Sequence, residues 1–229
     1  MAFFAEIPEP EAEPDSTRGM RYVDHPWQTP PHWLPGGAPL AVTVARSAHT
    51  AVRLTVGGVY PRGLALELLA LLDPEGPDVE ALHHHRGSSG ELRFGMLWPD
   101  GRRAETLSPW QHPMEDAGRD GFHLHPEGGH GGGLTWRSDL WLWPLPPPGP
   151  VTVYLRWDAR DVPETATWLD LTSVVEAADQ AEELWPLAAQ PDDEGFGWIS
   201  YAPVPSAVQQ DRPDDTTSGD GSDAGDEDG

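Results

Sequence analysis

Residues 133–171 read GLTWRSDLWLWPLPPPGPVTVYLRWDARDVPETATWLDL, and this stretch decides the fold. Within 134–143, Leu134, Trp136, Leu140 and Leu142 share one face, and Thr135, Arg137, Asp139, Trp141 and Trp143 share the other. Three consecutive prolines at 146–148 have no amide hydrogens for a ladder and break the strand. Alternation then resumes over 151–157, with Val151, Val153, Leu155 and Trp157 inward and Thr152, Tyr154 and Arg156 outward. After a charged turn, the strand over 165–171 buries either Trp168 or the Leu169 and Leu171 pair.

The same period of two recurs upstream. Leu40, Val42 and Val44 form one strand face, and Val52, Leu54 and Val56 the next. Residues 64–72 (LALELLALL) read as a buried strand bounded by Gly63 and Asp73-Pro74. Leu92, Phe94, Met96 and Trp98 share a face before Pro99-Asp100-Gly101, where proline presets one φ and glycine accepts a positive one, predicting a hairpin. Residues 24–39 (DHPWQTPPHWLPGGAP) hold five prolines and cannot be helical, so they form an extended lead-in that its aromatics pin to the domain. Residues 108–133 read as a long Gly- and His-rich loop with a short strand at 122–125.

Downstream of the quoted stretch the period changes. Val174, Ala178, Ala181 and Trp185 lie three or four apart and Ser173 with Glu176 forms a capping box, predicting a helix over 172–185 that Pro186 stops. The expectation is a mainly β protein: a two-sheet antiparallel β-sandwich, immunoglobulin-like or jelly-roll in order, over residues 22–187, with one C-terminal α-helix. Residues 1–21 form an acidic, Pro-rich leader and 188–229 an acidic tail, both too poor in apolar residues to fold alone and read as disordered.

Charge excludes whole classes of partner. The 229 residues carry 14 basic and 38 acidic side chains, a net charge of -24, so phosphate-bearing nucleic acids and anionic membranes would be repelled. A protein partner steered by charge is basic. Residues 192–229 hold eleven acids against Arg212 alone. With no Cys, the chain has no disulfide, thiolate metal site or thiol nucleophile. With no Lys and no Asn it has no Schiff-base lysine, and its codon usage points to a GC-rich genome. No basic, apolar leader begins the sequence and no apolar run approaches the ~20 residues of a membrane helix, so the expected compartment is the cytoplasm.

The blocks at 27–40 (WQTPPHWLPGGAPL), 56–63 (VGGVYPRG), 94–104 (FGMLWPDGRRA), 141–150 (WLWPLPPPGP) and 156–165 (RWDARDVPET) resemble a family of uncharacterised β-rich proteins from high-GC bacteria. The resemblance runs from about residue 22 to 187 and implies a β-rich domain without an assigned activity.

Chemistry-bearing constellations are few. His123 and His125 share a strand face and His130 follows in a glycine-rich run, with His83, His84, His85 and His112 in loops; neutral imidazoles at this spacing suit Zn, Ni or Cu. A run of loop histidines can equally be compositional. Asp158, Asp161 and Glu164 lie in one turn where a glycosidase-like pair could form, although 38 acids make such clusters common. No serine has a nucleophile elbow, no glycine-rich motif leads from strand to helix, and no cofactor is implied. Eleven tryptophans are the remaining excess, and Trp141 with Trp143 would form a stacking face for sugar or peptide if solvent reaches it, or core if another segment covers it. The leading function is a non-enzymatic protein–protein interaction module; the alternatives are a metal-binding protein or metal-dependent enzyme using His123, His125 and His130, and a carbohydrate-binding sandwich using Trp141 and Trp143.

Overall fold

The computed structural model describes residues 20–76, 92–106, 121–187 and 201–203, with 20, 21 and 201–203 as backbone alone. Residues 1–19 of the expected 1–21 leader, the histidines at 83–85 and 112, and the tail apart from 201–203 lie outside the described residues. Two compact units are present. In the first, β1 (Met20–Tyr22) pairs antiparallel with β13 (Tyr201–Pro203). The second unit, Val23–Ser200, holds everything that follows.

Two short strands and two sheets build this second unit. β2 (Trp33–Leu34) lies in the lead-in. One sheet contains β3 (Ala41–Arg46), β4 (Thr50–Tyr60), β5 (Gly63–Leu72), β8 (His123–Gly132) and β9 (Thr135–Trp143), in the order β3-β4-β5-β9-β8. The other contains β6 (Arg93–Leu97), β7 (Arg103–Glu105), β10 (Pro150–Trp157) and β11 (Val162–Asp170), in the order β11-β10-β6-β7. All pairings within these sheets are antiparallel.

Strand order separates the two sandwich alternatives. β5 pairs with β9 and β6 with β10, so β4-β5-β9-β8 and β11-β10-β6-β7 take the ABED and GFCC′ places of an immunoglobulin-type sandwich, and β3 adds a fifth strand beyond A. A jelly roll would instead pair first strands with last.

The inward faces meet in one apolar cluster that includes Leu54, Leu66, Leu68, Leu140 and Leu142 from the first sheet and Phe94, Met96, Val153, Leu155 and Leu169 from the second. Alternation therefore reads correctly on both sheets, and Leu169 with Leu171 is the buried pair of the last strand. The sheets are stitched at each edge without closing into a barrel. On one side the Thr165 hydroxyl donates to the Val44 carbonyl at 2.9 Å, at the bulge between Thr43 and Ala45. On the other a single parallel bridge joins Thr106 to Leu124. The turn after Trp98 closes as expected, with Gly101 at φ 86° and its amide 3.0 Å from the Trp98 carbonyl.

Two expectations are corrected. The helix predicted over 172–185 is only α1 (Thr172–Glu176), followed by a 3-10 turn (Ala177–Gln180). Ala181 is extended, and β12 (Glu182–Glu183) pairs with β2. Leu184 then donates to the His32 carbonyl at 2.9 Å, so backbone bonds to the lead-in replace the helix's later turns. Ser173 makes no cap bond; Asp170 Oδ1 instead accepts from the Thr172 amide and hydroxyl at 2.8 and 2.6 Å. The second correction concerns the Gly-rich run, which is strand from His123 to Gly132 and not loop, with a bulge between Pro126 and Gly128. A Cβ at Gly129 or Gly131 would stand 3.0 Å from the Arg137 carbonyl or the Trp136 ring, so small residues let β8 lie close against β9.

Candidate functional site

The outer face of the first sheet is covered at one end, leaving Leu71 at the other 47% exposed. At the covered end, Trp141 and Trp143 join Tyr60, with Trp27, Trp33 and Ala65 packed against them. The lead-in is laid over this face and tied at several points. Trp141 Nε1 donates to the Pro26 carbonyl at 2.9 Å. Glu127 on β8 accepts from the Thr29 amide and hydroxyl, each at 2.6 Å. Arg62 forks onto Asp24 at 2.5 and 2.6 Å and also reaches the Gln28 carbonyl. Gly36 exchanges backbone bonds with Val59. Burial, together with the Glu127 charge, raises the Tyr60 pKa above its ordinary value.

Trp141 is 0% exposed and Trp143 6%. The face expected to stack on sugar or peptide is thus a second small core, closed by 23–39 and not by the C-terminal helix. Gly63 is part of the fit: a Cβ there would overlap the Leu142 carbonyl and stand 2.6 Å from the Trp141 ring.

The three candidate metal ligands are brought onto one strand but not to one point. His123 stacks on Trp143 with ring centroids 4.8 Å apart, and His125 lies opposite Trp141. His130 is opposite Arg137, five residues beyond His125, or roughly 16 Å along an extended strand. Among the described residues no three His, Cys, Asp or Glu side chains gather as a metal shell. Burial lowers the His125 pKa, which favours the neutral ring. In the turn expected to offer a carboxylate pair, Arg156 bonds Asp158 at 2.8 Å and holds its pKa down, the opposite of what a general acid needs.

The second sheet keeps an outer face that no described residue is shown to cover. Register sets out its rows: Trp168, Thr152, Leu97 and Arg103 in one, then Ala166, Tyr154, Gly95 and Glu105, with Arg156 opposite Arg93 beyond. Trp168 is 66% exposed. Gly95 leaves a shallow slot of about 120 Å³ between Tyr154, Arg93, Arg156 and Glu105. Two arginines directly opposite each other would repel, and each is offset by an acid, Arg93 by Glu105 at 3.9 Å and Arg156 by Asp158. The slot is a balanced charge network and holds no unopposed cation for an anion.

A larger cleft of about 490 Å³ lies among Asp24, His32, Trp33, Arg62 and Glu183. Its guanidinium is committed to Asp24 and Gln28, and its walls are the seam that attaches the lead-in. Trp185, 65% exposed, lies two residues beyond β12. No helix among the described residues is long and apolar enough to cross a membrane. Comparison with protein-family models, curated proteins and solved structures finds no match for the chain.

Trp168 was within reach of the sequence. Thr165 and Thr167 share the parity of Leu169 and Leu171, and placing two leucines inward forces the single tryptophan outward. Coverage of the Trp141 face was hinted at by the aromatics of the lead-in, but aperiodic chain carries no register.

Proposed function

We propose that the protein is a non-enzymatic cytoplasmic binding module of the uncharacterised β-rich family that its sequence blocks resemble, and that it docks a protein partner through the outer face of β11-β10-β6-β7. One observation carries this reading: Trp168 is two-thirds exposed on a sheet face that no described residue is shown to cover, while every tryptophan of the opposite outer face is packed under the lead-in. Large aromatics left in solvent beside polar rows are what interfaces use as anchors.

Size and charge argue against a second copy as the partner. Strands of 9, 8, 5 and 3 residues at ~3.3 Å rise and ~4.8 Å spacing give a face of roughly 400 Å² per side, about 800 Å² in total and short of the ~1,200 Å² of a stable dimer. Two copies at -24 each also repel. A second copy of this chain is therefore disfavoured against a smaller contact with a different protein.

Affinity capture from the native lysate with the intact chain, Trp168→Arg and Trp185→Arg tests the reading. A prey kept by the intact chain and Trp185→Arg but lost with Trp168→Arg supports it. Identical preys on all three baits would remove it.

A further inference from the structure

We infer that the outward column of β11, formed by Glu164, Ala166, Trp168 and Asp170, is a recognition strip for an arginine-bearing extended segment of the partner. This deepens the docking reading above and rests on it.

All four residues are exposed, while Thr165, Thr167 and Leu169 between them turn toward the core or the β3 edge. The order is acid, small, aromatic, acid. Alternate residues of a strand lie ~6.7 Å apart, which puts Asp170 about 7 Å and Glu164 about 13 Å from Trp168 along the column. A guanidinium lying over the Trp168 ring, within ~6 Å of its centre, would have a carboxylate as its next neighbour on the strip. A second basic residue four places along an extended segment would reach the opposite acid. Ala166 leaves room for the chain between them.

The acids are placed to receive such a segment. Both bonds from Thr172 fall on Asp170 Oδ1, which fixes the carboxylate and leaves Oδ2 for an incoming donor. The column itself carries no base; on the strands beside it Arg93 is held by Glu105 and Arg156 by Asp158, with Glu164 also near Arg156, and Arg103 lies three strands away on β7. At longer range the net charge of -24 draws basic partners and repels acidic ones. A sugar could stack on the same ring without using the flanking charges, and it is the competing outcome.

The test is calorimetric titration of the full chain with a nine-residue peptide of alternating threonine and arginine, and with its glutamate counterpart. Cellohexaose serves as the sugar probe. Arginine-peptide binding should weaken roughly two- to five-fold in Trp168→Ala. Glu164→Gln and Asp170→Asn should each weaken it by up to about five-fold and flatten its salt dependence, asparagine keeping the cap on Thr172. Trp185→Ala should change nothing, and the glutamate peptide should not bind.

Equal weakening by Trp185→Ala, binding that ignores Trp168, no binding, or cellohexaose bound through Trp168 in place of the peptide each overturns the inference. Failure here beside a lysate prey that still depends on Trp168 would leave the docking face standing and remove only its arginine specificity.

Discussion

The indole N–H of Trp141 donates to the carbonyl of Pro26 at 2.9 Å, joining residues 115 positions apart in the chain. This bond fixes the lead-in over the Trp141 end of the first sheet's outer face, while at the other end of that face Leu71 is 47% exposed and on the second sheet Trp168 is 66% exposed. Trp141→Phe removes the donor, strands a partly buried carbonyl and trims the ring. Chemical denaturation should show a loss of about 1–3 kcal/mol, while Trp168→Phe should stay within about 0.5 kcal/mol of the parent.

Gly63→Ala should destabilise by about 1–3 kcal/mol, because the new methyl group meets the Leu142 backbone and the Trp141 ring, neither of which can swing away cheaply. Near-ultraviolet circular dichroism should show the tryptophan signal disturbed as well. Unchanged stability would mean that the lead-in and Trp141 do not pack as described.

Acidification should weaken the fold through His125. Burial lowers its folded pKa below the ordinary 6.5, so the unfolded chain binds the proton more readily. Its contribution is therefore fully present above about pH 6.5 and is lost as pH falls from there toward the folded value. The carboxylates of Asp73, Asp100, Asp158 and Asp170 have lowered pKa values and titrate below that window. Denaturation midpoints between pH 7 and 5 should fall less steeply in His125→Gln than in the parent. An unaltered slope would show that the ring is not held neutral.

Thr165→Val keeps the shape and removes the hydroxyl that bonds Val44 across the seam. A loss of about 1 kcal/mol in urea titration is expected. A neutral result would mean that the β3 and β11 edges do not depend on this stitch.

Much of the sandwich could be read from alternation, because burial on one face imposes a period of two wherever strands are regular, as over 151–157 and 64–72. Local spacing failed where pairing partners lay far away. Val174, Ala178, Ala181 and Trp185 fit a helix by spacing, yet Glu182 and Glu183 pair with Leu34 and Trp33, and no local signal announces that competition. The run 123–132 has loop composition, but the β9 ladder satisfies its backbone and its glycines permit the close approach. For the site, Trp141 and Trp143 were correctly paired on one face; what covers them depended on a lead-in whose path is set by bonds such as Thr29 to Glu127.

Oxidative footprinting of the full chain, read tryptophan by tryptophan by mass spectrometry, tests the two-face account most directly. Trp168 should oxidise rapidly, on a par with Trp185, while Trp141 and Trp143 stay protected until the protein unfolds. Protection of Trp168 in the intact chain, or oxidation of Trp141 at the same rate, would contradict it.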